Sequence, residues 1–255
     1  MNYLYSVYRT IIVFCFILYT LLFSKKSPQE LYEGLRQVAF PFGQFLVEHK
    51  ERFDMIRREN EKGKGCVIMS NHHNSYDVCM IQKFVESYLV VKSNVCGELV
   101  NEEKEDILIN FLRKQYFDKY LLIPYKRGNK ESGNEVKRII ARETAKGKNV
   151  IIFPEGTSQR CFHKPLPFRK GIFDLCFEKQ IPIFSVSINY SKDMGFHKTD
   201  KIDFIRLGSL SPHVKIFCNG IFYPTSYSNS IQLMNEVYQS ISDHVYLEWN
   251  KEWEV

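Results

Sequence analysis

The strongest hydrophobic pattern comes first in the chain. Thr10 to Phe23 (TIIVFCFILYTLLF) is an uncharged run of large apolar and aromatic residues, with Arg9 before it and Ser24-Lys25-Lys26 after it. As a helix it is about 21 Å long, against roughly 30 Å of bilayer hydrocarbon. It spans only if Tyr3 to Tyr8 also enter and Arg9 snorkels outward, and a half-inserted helix is the other reading. The run lacks a small-x-small cleavage site and carries its positive charge mainly behind it, which argues against a removed signal peptide. The lysine pair behind it also places everything downstream on the cytosolic side of a membrane. Leu31, Leu35, Val38, Phe42, Phe45 and Leu46 then recur every three or four residues, around Pro41. That spacing predicts a kinked amphipathic helix, which either lies on the lipid surface or packs against the domain that follows.

From Gly65 the pattern changes to short β-rich runs separated by helical stretches: residues 66–70, 88–92, 120–124, 149–153, 181–190 and 214–218. Such alternation predicts an α/β layered domain. The helix before the 149–153 run is the best marked, with Ser132 and Glu135 as a capping box, Val136, Ile139 and Ile140 on one face, and Gly147 as its stop. The last helix repeats Leu233, Val237, Ile241 and Val245 at four-residue steps. With no repeat or low-complexity linker, the chain divides into a membrane-anchoring segment (1–26), an amphipathic membrane-proximal region (27–64) and a catalytic domain (65–255).

Composition narrows the function. A chain of 255 residues, 44% hydrophobic, can bury one sizeable core. Its seven cysteines are odd in number and form no C-x-x-C pair, as expected for reduced thiols facing the cytosol. The net charge of +6 is spread over small groups such as Arg57-Arg58, Lys126-Arg127 and Arg169-Lys170, which suits a phosphate-bearing partner or an ordinary solvated surface. No recognition helix, zinc finger or single-strand platform is present, so nucleic acid is not expected.

Two polar blocks follow strand-like runs. In Ser70-Asn71-His72-His73-Asn74-Ser75-Tyr76-Asp77, a histidine in the turn and an aspartate in the first helical turn can meet. Asp77 then holds one nitrogen of His72 and leaves the other to take a proton from a hydroxyl. His73 is a competing base, and a metal site would need a third ligand that the sequence does not supply. In Phe153-Pro154-Glu155-Gly156-Thr157-Ser158, Glu155 can accept hydrogen bonds from a glycerol hydroxyl, and Gly156 permits close backbone approach. The same residues also suit a plain structural turn. Ser158 lacks the second glycine of a serine-hydrolase elbow. Lys126-Arg127-Gly128 ends another strand as either a phosphate site or a surface turn.

Taken in order, these blocks resemble the glycerolphosphate and lysophospholipid acyltransferase family, typified by 1-acylglycerol-3-phosphate acyltransferase. The resemblance covers about Cys66 to Tyr190. His72 and Asp77 match its His-x4-Asp block, Arg127 the arginine closing its second block, Phe153 to Thr157 its third, and Ile181-Pro182-Ile183 its fourth. Phe168-Arg169-Lys170-Gly171 is similar to its basic turn. The resemblance implies a mixed sheet flanked by helices, His72 as general base and Asp77 as its partner. It also implies acceptor binding by Arg127, Glu155, Gly156, Thr157 and Arg169. The donor is then acyl-CoA or acyl carrier protein, and the acceptor a lysophospholipid, with lysophosphatidate favoured by Arg127. Neither a cofactor nor a metal is implied. Three positions depart from the pattern: Asn74 stands where serine is frequent, Leu121 where glycine is common, and Ser158 where an arginine often follows. Arg160 or Arg169 are the residues available to replace that arginine. A non-catalytic lipid-binding scaffold, and a thioesterase or lipase, are the competing readings.

Overall fold

A computed structural model describes residues 15–16, 19–20, 24–39, 44–73, 77–92, 120–158, 165–190 and 213–245. The elements in chain order are α1 (Pro28–Ala39), β1 (Gln44–Glu48), α2 (Phe53–Glu61), β2 (Val67–Ser70), α3 (Asp77–Gln82), β3 (Ser87–Lys92) and β4 (Leu122–Tyr125). They continue with α4 (Lys130–Thr144), β5 (Asn149–Ile152), α5 (Lys170–Lys179), β6 (Ile183–Tyr190), β7 (His213–Phe222) and α6 (Ser230–Val245). The strands form one sheet in the order β1-β7-β6-β2-β5-β3-β4. β6, β2, β5, β3 and β4 run parallel, while β7 pairs antiparallel to β6 and β1 parallel to β7. The expected mixed α/β sheet flanked by helices is therefore present.

Period-two alternation sends successive side chains of β2 to opposite faces. Cys66 and Ile68 join a core with Leu31, Phe53, Ile56, Ile81 and Phe184 beneath α1, α2 and α3. Val67 and Met69 join a second core with Val136, Ile140, Phe173, Leu233, Val237 and Ile241 beneath α4, α5 and α6. Coverage of both faces explains why the central strands read as continuous apolar runs. Cys66, Cys79, Cys176 and Cys218 are buried free thiols. Burial pushes Cys66 and Cys218 up to about 12, and Cys79 and Cys176 upward as well. Cys96 and Cys161 lie outside the described residues.

Two expectations need correction. The amphipathic helix does not continue through Leu46: α1 ends at Ala39, and Phe45 and Leu46 belong to β1, opposite Val214 and Lys215 of β7. Pairing with a distant strand outweighs the local three-four spacing. Ser132 is not a cap. Asn129 caps α4 by accepting from Ser132 N at 2.8 Å, while the Ser132 hydroxyl accepts from Lys126 N and Glu135 pairs with Arg138. The basic turn at Arg169-Lys170 opens directly into α5, one of the helical stretches between the strand runs.

Most of the Thr10–Phe23 run lies outside the described residues, and no helix among those described is long and apolar enough to cross a membrane. The described part of the run is helical at 15–16 and 19–20 and packs on the domain. A Cβ on Gly34 of α1 would come within 2.6 Å of the Phe16 ring, so a side chain there would displace that ring. Thr20 is buried with its hydroxyl 2.6 Å from the Tyr120 hydroxyl, and Tyr32 of α1 donates to the Tyr120 carbonyl at 2.9 Å.

Candidate active site

β2, β5 and β4 all deliver their carboxyl ends to the same edge of the sheet, and each is followed at once by one of the polar blocks. Loops at such an edge are free of the ladder and can present side chains to a ligand. β2 stops at Ser70 because the next residue replaces the main-chain ladder with its side chain. The Asn71 amide accepts from Ile188 N and donates to Ile188 O on β6, both at 2.8 Å. The sheet contact continues through that amide while the main chain turns away at His72.

His72 Nδ1 lies 2.8 Å from Asp77 Oδ2, and the same carboxylate oxygen accepts from His73 N at 2.6 Å. Asp77 is fully buried, whereas the His72 side chain is 21% exposed. The carboxylate fixes the tautomer with the proton on Nδ1, leaving Nε2 as the basic atom. Among the described residues Nε2 has no hydrogen-bond partner. One face of the imidazole is covered by Phe153, with ring centroids 4.1 Å apart. His73 sits differently: it is buried, with Nε2 at 2.8 Å from the Asn71 amide nitrogen and 3.1 Å from Ile188 O. Of the two histidines, His72 is the one placed to meet a hydroxyl.

Glu155 follows β5, the strand beside β2, and is buried. Its Oε1 accepts from His72 N at 2.8 Å and its Oε2 from Leu166 N at 2.9 Å. Burial pushes its carboxyl up to about 7, against the lowering effect of these two amides. Gly156 has φ +71, the left-handed region natural to glycine. The Arg127 guanidinium, arriving from the end of β4, donates to the Gly156 carbonyl. Arg169 also approaches Gly156, its Cγ and Nε each 3.6 Å from where a Cβ would stand. Arg169 N also donates to Pro154 O at 2.8 Å. Phe168 anchors this basic turn by stacking near Phe173 and meeting Tyr238 edge-on in the second core. Thr157 is exposed beside them.

The fold thus brings together His72, Asp77, Arg127, Glu155, Gly156, Thr157 and Arg169. Arg160, Asn74 and Ser75 lie outside the described residues. No cluster of three metal-ligating side chains occurs among the described residues. Leu121, where glycine is common, adopts φ +53, so the chain keeps a glycine-like conformation there at a cost of roughly 1 kcal/mol. Sequence reasoning did not pick out Asn71, Phe153 or Leu166 as contributors. Each acts through a residue in another block of the chain, so no local spacing marks it.

A sequence model of the family described as Acyltransferase matches residues 47–189, more than half of the chain. The chain belongs to the acyltransferase family. The fold of this acyltransferase is also that of a solved relative, the 1-acyl-sn-glycerophosphate (LPA) acyltransferase PlsC from Thermotoga maritima. The two agree with a TM-score of 0.59 over 96% of this chain and 94% of that one, at 17% sequence identity. At that identity the likeness is one of fold. No curated protein sequence matches this acyltransferase.

Proposed function

We propose that this acyltransferase transfers a fatty acyl group from acyl-CoA or acyl carrier protein to the free hydroxyl of lysophosphatidate, giving phosphatidate. The observation that carries the proposal is the 2.8 Å contact between His72 Nδ1 and a buried Asp77 carboxylate, beside an unengaged Nε2 at the sheet edge. Nε2 of His72 takes the hydroxyl proton as the oxygen attacks the thioester carbonyl. The tetrahedral adduct collapses by breaking the carbon–sulfur bond. The imidazolium then returns the proton to the departing thiolate, leaving the ester and a free thiol. No enzyme nucleophile is required, because a thioester is already activated. Asp77 stabilises the imidazolium formed midway, and such a base contributes roughly 10²–10⁴ in rate.

Arg127 and Arg169, both next to Gly156, are the groups offered to the acceptor phosphate, and Thr157 is an exposed hydroxyl beside them. The reaction is assigned to the cytosolic face of a membrane, supported by the Thr10–Phe23 run, the lysines behind it and the free buried thiols. The test is labelled acyl transfer by membranes carrying the protein, with lysophosphatidate, other lysophospholipids, glycerol 3-phosphate or no acceptor, beside His72→Ala. Label in phosphatidate that disappears in the variant is the expected result. Transfer to a different acceptor would reassign the substrate, and free fatty acid released without acceptor would make the protein a thioesterase. Folded protein that transfers nothing from either donor would favour the scaffold.

A further inference from the structure

Glu155 is 2% exposed, and each of its carboxylate oxygens already accepts a main-chain amide: His72 N at 2.8 Å and Leu166 N at 2.9 Å. These amides belong to two segments far apart in the chain. One carries the His72 imidazole. The other leads through Phe168 to Arg169, whose own amide donates to Pro154 O at 2.8 Å, so residues 165–169 are laced along the Pro154-Glu155 turn. A single carboxylate therefore ties the base to the basic turn.

We infer that Glu155 is a positioning residue of the acyl-transfer reaction, holding the main chain at His72 and Leu166, and does not contact the acceptor hydroxyl. The inference rests on the acyl-transfer reading above. A buried carboxyl group whose two oxygens each accept a main-chain amide joins both segments, and its burial leaves little surface for a substrate to reach. The imidazole is then held at three places: its main chain by Glu155, Nδ1 by Asp77, and one face by Phe153. A general base must sit within hydrogen-bond reach of its proton, and a displacement of about 1 Å costs on the order of 10²-fold. Glutamine keeps the shape of the side chain but turns an NH2 toward one of the two N–H donors, so one clamp is lost.

The experiment is steady-state kinetics of Glu155→Gln with varied acceptor, together with amide hydrogen exchange at His72 and Leu166. The expected result is kcat lower by about 10²-fold with acceptor KM within about twofold of wild type, and faster exchange at one or both amides. An acceptor KM raised about tenfold with kcat retained would show direct substrate contact and overturn the inference. Unchanged exchange at both amides would overturn it too, whatever the activity. That second readout keeps the two readings apart, because it remains measurable even if wild-type protein transfers no acyl group. Should the glutamine variant fail to fold, Glu155→Asp, one methylene too short to span both amides, is read in the same way.

Discussion

The imidazole of His72 lies almost flat on the ring of Phe153, with centroids 4.1 Å apart and planes 15° from parallel. Phe153 directly follows β5, so the strand beside the histidine supplies both the stacked ring and, two residues on, the carboxylate that holds the histidine main chain. An aromatic contact of this kind contributes about 1 kcal/mol, or roughly fivefold in an equilibrium between ring orientations. Phe153→Leu keeps the bulk and removes the stack. The expected outcome is kcat lower by roughly fivefold with the unfolding midpoint nearly unchanged, checked by steady-state kinetics and urea titration.

Asp77 offers a sharper test. Asparagine in its place retains an oxygen for His73 N but loses the charge that stabilises a protonated His72. Asp77→Asn is expected to lower kcat by roughly 10²–10⁴-fold while leaving acceptor KM near wild type. A variant with more than half of wild-type kcat would remove His72 from the role of base.

The buried carboxyl of Glu155 predicts a dependence of stability on pH. Its folded value is raised from 4.5 to about 7, so between those values the folded state binds more protons than the unfolded chain. Stability contributed by this group is therefore greatest below 4.5, declines as pH rises through the window, and levels off above about 7. Relative to Glu155→Gln, wild type is expected to lose roughly 2–3 kcal/mol between pH 4.5 and 8. Urea unfolding of both proteins across that range checks the sign.

Asn71 stands where β2 gives up its ladder, and its amide meets both main-chain groups of Ile188 at 2.8 Å. Asn71→Ala deprives a buried N–H and a buried C=O of those contacts, at a cost of about 2–4 kcal/mol in unfolding free energy. Denaturant titration measures this loss, and kcat measured where the variant is still folded is expected to fall with it.

These contacts also show how far the sequence could be read. His72, Asp77, Glu155 and Arg127 are visible in the chain because each lies in a short block with recognisable spacing just after an apolar run. The central runs that became β2, β5 and β6 are legible because neighbouring parallel strands buried on both faces leave an unbroken apolar signature. β1 was hidden, since Phe45 and Leu46 continue a helical spacing and only pairing with β7, far along the chain, makes them a strand. Asn71 and Ile188 are 117 residues apart, so nothing near either one announces the bond. Glu155 was legible as a polar residue in a turn, but which groups its oxygens face depends on two other segments converging there.

The order of strands in the sheet has a consequence for how the protein is made. β2, which leads into His72, lies between β5 and β6, and the outer edge of the sheet closes only when β7 receives β1. A chain emerging from the ribosome as far as Asp77 holds both members of the dyad but neither flanking strand, and Glu155 and Ile188 are still to be synthesised. Such long-range pairing forms late and slowly. The nascent chain is thus chemically silent until most of its length is out.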